Sequence, residues 1–149
     1  MPAKLFVDTN ILVYLANENA QPHEAVLKQV EAFAASHAMV ISRQVLREYA
    51  VVMTRPGIVE TPLTPDELAE DLEKWQRVFE VVDETQEVTA QLVCLLKKYQ
   101  LKGKRIHDAN IAATMLAYGI SELWTADVED FQKFEEIRII GIEESRQAA

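Results

Sequence analysis

Apolar residues along the chain fall into short unbroken blocks separated by longer stretches with helical spacing. Leu5-Phe6-Val7 run straight into Asp8, after which Ile11, Leu12 and Leu15 recur at helical intervals. A buried strand, a polar turn and a helix start are expected there. Val26, Leu27, Val30 and Phe33 or Ala34 carry the helical period over Pro22 to Ser36, where the proline suits a first turn. Ala38 to Ile41 forms the next strand block. Ser42 ends it and is placed to cap a helix over Arg43 to Thr54, which Pro56-Gly57 stops. Thr64-Pro65-Asp66-Glu67 supplies a cap, a first-position proline and first-turn acids for a helix to about Arg77. Phe79 to Val82 reads as a strand, Thr85 to Tyr99 as a helix, and Leu101 to Ile106 as a basic loop around Gly103. Asp108 to Tyr118 reads as a helix closed by Gly119. Glu122 to Thr125 is a strand, followed by a short acidic turn or helix through Phe134 and a last strand over Arg138 to Ile142. The polar tail after Glu143 is expected to fray.

The strand blocks are too uniformly apolar for burial on one side only, and they alternate with helices. The expected fold is therefore α/β: a three-layer α/β/α sandwich around a central, mainly parallel sheet. Neither repeat nor linker divides the 149 residues, so residues 1–149 are read as a single domain. Hydrophobic residues make up 49%, enough for a core without disulfides. The one cysteine, Cys94, falls in the apolar run Leu92 to Leu96 and is read as a small core residue in a reducing compartment. Trp75 and Trp124 are likewise read as core. Membrane-length apolar runs and signal-peptide features are both missing from the sequence, so a cytoplasmic protein with no membrane partner is expected.

The charged residues change the picture at four positions. Asp8 stands at the carboxyl end of a strand, where open α/β sheets place their chemistry, although a helix cap is the plain alternative. Glu48 lies three residues after Val45 and four before Val52, on the apolar face of its helix. A carboxylate facing a core is costly unless paired or bound to a metal; its plain alternative is a rim position. Asp108 precedes Ile111 by three and Ala112 by four, on or near an inward stripe, or else serves as a first-turn acid. Asp127 follows a strand and could be an ordinary turn residue. Taken together, two acids at strand ends and two at inward helix positions can converge on one sheet edge. Such crowding is unfavourable without a cation, and oxygen ligands alone suit Mg2+ or Mn2+. Hard ions held this way serve phosphodiester chemistry.

Val7-Asp8-Thr9-Asn10, Glu48 on the third helix, His107-Asp108-Ala109-Asn110-Ile111-Ala112-Ala113 and Thr125-Ala126-Asp127-Val128-Glu129-Asp130-Phe131 resemble the signature of PIN-domain ribonucleases. Among these, the chain is most similar in style to the toxin subunit of VapBC toxin–antitoxin pairs. The resemblance spans nearly the whole chain in the family's order. It implies a PIN-like fold in which Asp8, Glu48, Asp108 and Asp127 hold Mg2+ or Mn2+ for RNA cleavage. It also implies a cytoplasmic homodimer and a basic antitoxin that blocks the site. Some members carry Asn where this chain has Asp127, so Asp130 could share that role. Thr9 and Thr125 resemble supporting hydroxyls, with Asn10 beside them.

The formal net charge of -9 argues against unassisted nucleic-acid binding but suits a surface that meets a basic partner. Lys97, Lys98, Lys102, Lys104 and Arg105 closely precede Asp108 and could hold RNA phosphates, as could Arg43 and Arg47 on the Glu48 helix; an ordinary solvated surface is the alternative. Other functional classes are a haloacid-dehalogenase-like phosphatase with Asp8 as nucleophile, a receiver-type phosphoacceptor domain, and a PIN-like binding module without catalysis. The first wants a second Asp two residues after Asp8, where this chain has Asn10. The second wants paired acids beside Asp8 and a lysine after a late strand, and neither is evident.

Overall fold

Each of the five blocks read as a strand contributes to one sheet in a computed structural model that describes residues 2–143. In chain order the elements are β1 (Ala3–Val7), α1 (Thr9–Ala16), α2 (His23–Ser36), β2 (His37–Ser42), α3 (Arg43–Thr54) and α4 (Pro65–Val78). They continue with β3 (Glu80–Val82), α5 (Gln86–Tyr99), α6 (Arg105–Ala117), β4 (Glu122–Trp124), α7 (Val128–Phe131) and β5 (Arg138–Ile140). The strands lie in the order β3-β2-β1-β4-β5, and all four pairings are parallel. The expected tail after Glu143 lies outside the described residues.

Parallel neighbours need crossover connections, and these are right-handed almost without exception. From β1 the chain steps outward through β2 to β3, then returns past β1 to lay down β4 and β5. Reversing the direction of travel reverses the face that a right-handed crossover covers. The helices accordingly form two groups, α1 with α2 and α3 and α3 with α4, then α5 with α6 and α6 with α7. The sheet between them is buried on both faces: Leu5, Phe6, Val7, Val40, Ile41, Leu123 and Trp124 have no exposed surface.

Local signals fix the helix ends. The Ser42 hydroxyl accepts from Val45 N–H, and Thr64 and Glu67 form a reciprocal capping box at the start of α4. Gly119, at φ +69°, ends α6 in the left-handed region that favours glycine. The α6 helix begins three residues earlier than the sequence indicated, at Arg105. Gly103, at φ +61°, turns the chain into it, so the end of the basic loop is helical and Asp108 sits in the first turn.

Trp75 and Trp124 are core residues as expected. Cys94 is not: it is exposed. The run Leu92 to Leu96 belongs to an amphipathic helix whose inward stripe is Val88, Leu92 and Leu95, and Cys94 lies off it. These placements predict opposite outcomes for two substitutions. Phe6→Ala, in the central strand, should cost about 3–5 kcal/mol. Cys94→Ser should change stability by no more than about 0.5 kcal/mol. Urea unfolding of both variants checks this, and a large loss in Cys94→Ser would return that side chain to the core.

Candidate active site

The gap beyond β1 and β4 is the point where the strand order switches direction, the place where open α/β sheets bind ligands. The register Phe6↔Leu123 and Val7↔Trp124 sets Asp8 beside Thr125 at that gap, with Asp8 N–H donating to the Trp124 carbonyl at 3.0 Å. Asp8 is only 5% exposed. Its Oδ1 accepts from Thr9 N–H at 2.8 Å, which caps α1. Its Oδ2 accepts from the Thr125 hydroxyl at 2.7 Å and from the Asn10 amide at 3.4 Å. One carboxylate thus serves both as helix cap and as cavity acid. Burial, the largest influence, raises its pKa from 3.8 to about 7, against the pull of its hydrogen bonds from Thr125 and Thr9 and with the charges of Glu48 and Asp127 adding to the rise.

The other acids arrive from three further segments. Glu48, half-buried on α3, accepts from the Thr9 hydroxyl at 3.1 Å and the Gln44 amide at 2.7 Å. Asp108, half-buried in the first turn of α6, is pushed up to about 6 chiefly by burial and then by the charge of Asp130; Lys133 opposes this, and Glu48 and Asp127 contribute less. Asp127, exposed just past β4, accepts from the Asn10 amide at 3.0 Å. Asn10 Oδ1 in turn accepts from Ala126 N–H at 3.0 Å, so this one side chain fastens the turn after β4 to α1. The buried Thr125 hydroxyl accepts from Asp127 N–H at 3.0 Å while donating to Asp8.

Asp8, Glu48, Asp108 and Asp127 line one cavity of about 900 Å3, together with Thr9, Asn10 and Arg47. Much of the remaining lining is apolar, including Val13, Tyr14, Val51, Val52, Ile58 and Val59. Asp130 is not among the residues lining it but lines a second, smaller depression formed by residues 126–130. Arg47 reaches Glu84 at 3.1 Å, and Arg43, away from the cavity, reaches Asp83 at 3.0 Å. Lys102, Lys104 and Arg105 are exposed where the chain enters α6, and none forms an ion pair among the described residues.

Among the described residues, no three His, Cys, Asp or Glu side chains stand close enough to form a ready-made metal cage. Mg2+ commonly takes one or two carboxylates directly while keeping several waters, so it does not need three of them in contact. The donors facing the cavity are carboxylate, hydroxyl and amide oxygens, the set that suits a hard ion.

Two polar residues of this site carry no role in the sequence reading. Gln44 is buried, and its amide joins Glu48 to α6; Asn110 donates to it at 2.7 Å. The available signal was position: Gln44 lies one helical turn before Glu48, on the same face.

The sequence matches the PIN domain family over residues 5–137. The chain belongs to that family. Ribonuclease VapC48 of Mycobacterium tuberculosis is 29% identical over 135 residues, covering 89% of this chain and 92% of that protein. Ribonuclease VapC24 of the same organism is 27% identical over 131 residues, covering 87% and 90%. Among solved structures, VapBC2 from Rickettsia felis, bound to a DNA fragment from its promoter, superposes with a TM-score of 0.69 at 19% identity, covering 94% of this chain and 99% of that one. PIN membership sets aside the haloacid-dehalogenase and receiver readings, and Asn10, where a phosphatase needs its second Asp, is occupied in holding Asp127.

The buried acid of this PIN fold has a thermodynamic signature. Because the folded pKa of Asp8 lies above its unfolded value, the folded state binds the proton more tightly. Stability from this group is present below pH ~4 and is lost as pH rises through ~7. Asp8→Asn removes the loss, so at pH 8 without metal it should melt above wild type, by at most about 4 kcal/mol of stability. At pH 4 the gap should close. Thermal melts in chelator across this range check it; lower stability of Asp8→Asn at pH 8 would show that the cap outweighs the buried charge.

Proposed function

We propose that this chain is a divalent-metal-dependent endoribonuclease, the toxin of a toxin–antitoxin pair. The observation that carries the reading is the meeting of four acids, from four separate segments, in one cavity at the switch point of a PIN-domain sheet. Curated relatives named ribonucleases support RNA as the substrate. The family match over residues 5–137 supports reading the chain as one PIN-like domain. No helix among the described residues is long and apolar enough to cross a membrane, and the reading places the protein in the cytoplasm.

Asp8, Glu48, Asp108 and Asp127 would hold Mg2+ or Mn2+, which supplies Lewis acidity to the phosphodiester. The remaining residues orient that set. Thr125 holds Asp8, Asn10 holds Asp127, and Thr9 and Gln44 each hold one oxygen of Glu48. Asp130 acts on Asp108 by its charge from outside the cavity. Lys102, Lys104 and Arg105, without carboxylate partners among the described residues, would position RNA phosphates next to Asp108; Arg47 and Arg43 would have to leave Glu84 and Asp83 to help. Incubating RNA with the protein in Mg2+ and in EDTA tests the reading. Cleavage should be lost in EDTA and return with excess Mg2+ or Mn2+. Undiminished cleavage in EDTA would overturn metal dependence.

The partner would be a basic antitoxin, with the toxin itself a homodimer. Similar folds occur in solved VapBC pairs, including VapBC from Salmonella typhimurium bound to DNA. The cavity is lined by both acids and apolar side chains, which suits a segment offering Arg or Lys beside apolar side chains. A guanidinium among the acids makes charge-assisted hydrogen bonds and excludes the cation. Binding of a basic antitoxin peptide should therefore weaken with added salt and in Asp108→Asn. Titration of wild type and variant at two salt concentrations measures this, and equal affinity throughout would place the inhibitor elsewhere.

A further inference from the structure

We infer that Gln44 is a positioning residue that fixes the Glu48 carboxylate and ties it to the segment carrying Asp108. This rests on the metal-dependent reading of the cavity above. Gln44 is 4% exposed, at the start of α3. Its amide nitrogen donates to Glu48 Oε1 at 2.7 Å and to the His107 backbone carbonyl at 2.9 Å. Its amide oxygen accepts from Asn110 Nδ2 at 2.7 Å. Three of its four hydrogen-bonding positions are thus filled, two of them by residues flanking Asp108 in α6.

The amide has a single workable orientation. Rotated by half a turn, its oxygen would face a carboxylate and a carbonyl, both acceptors, while its nitrogen would face the Asn110 donor. The contacts with Glu48 and the His107 carbonyl, both acceptors only, would become repulsive at a buried side chain. The orientation is therefore locked, and it is locked from α6. Glu48 is gripped at both oxygens, by Gln44 on one and by the Thr9 hydroxyl on the other. Thr9 follows the β1 acid, and Gln44 reaches the α6 acid. The two grips set Glu48 against both.

Side chains that orient the groups holding a metal tune its affinity, and losing one commonly costs about 10- to 100-fold. Gln44→Leu keeps the bulk and removes the amide, freeing Glu48 Oε1, the His107 carbonyl and Asn110. Mn2+ affinity, measured by calorimetry or by the loss of the free-ion resonance signal well below the melting temperature, should fall by about 10-fold or more. Asn110→Ala removes only the outer lock from a half-buried position, so it should fold normally and weaken Mn2+ binding in the same direction by less. The double variant should be no worse than Gln44→Leu alone, since both act through one amide.

A purely structural role would lower the melting temperature and leave the Mn2+ affinity of the folded protein unchanged in both variants. That result, with wild type binding Mn2+ and cleaving RNA, would overturn the positioning role alone. Failure of wild type to bind Mn2+ or to cleave RNA would overturn the metal-dependent reading and this inference with it. If Gln44→Leu does not fold, Asn110→Ala decides: unchanged affinity there overturns the proposal.

Discussion

A carboxylate withdrawn from water has to be compensated, and the compensation of Asp8 organises the end of the sheet around it. The backbone N–H of Thr9, the Thr125 hydroxyl and the Asn10 amide all turn toward it. Each of these three residues also bonds a second segment of the site. Thr125 receives Asp127 N–H, Asn10 receives Ala126 N–H and reaches Asp127, and the Thr9 hydroxyl reaches Glu48. Satisfying one buried charge therefore aligns two further acids. The compensation stays incomplete, because burial outweighs the hydrogen bonds in setting the Asp8 pKa. An unrelieved site of this kind gains most from a cation.

The fold was largely legible because strands and helices here differ in kind. Fully buried parallel strands show as unbroken apolar blocks, and the caps at Ser42 and Thr64 mark helix starts by chemistry that works locally. Asp8 stood out as an acid ending an apolar strand, and Glu48 and Asp108 because a charge on an apolar stripe contradicts its surroundings. Strand order was not written in any block. That β4 lies beside β1 follows from the crossovers, and only this neighbourhood joins Thr125 to Asp8.

The misreadings share a cause. Cys94 sits in an apolar run, yet a run within a helix wraps round it, and position on the wheel outranks composition. Gln44 is the converse. An uncharged amide in a first turn contradicts nothing in the sequence, and its burial becomes visible only when α6 closes over it. The lysines before α6 and the arginines on α3 look alike as residues; the loop carrying Asp83 and Glu84, which pairs the arginines, is what separates them.

The switch-point construction also bears on when the cavity can come into being. Asp8 and Glu48 leave the ribosome early, while Thr125 and Asp127 lie near the other end of the described chain. β4 is the penultimate strand in sequence, yet it inserts next to the central one. Until it does, Asp8 has neither its Thr125 hydroxyl nor the lid of β4 that holds it from water, and Asn10 has no turn to fasten. A half-made chain therefore carries two of the four acids, Asp8 and Glu48, without the turn that aligns Asp127. Completion of the cavity is thus tied to the pairing of β4 with β1, late in the chain.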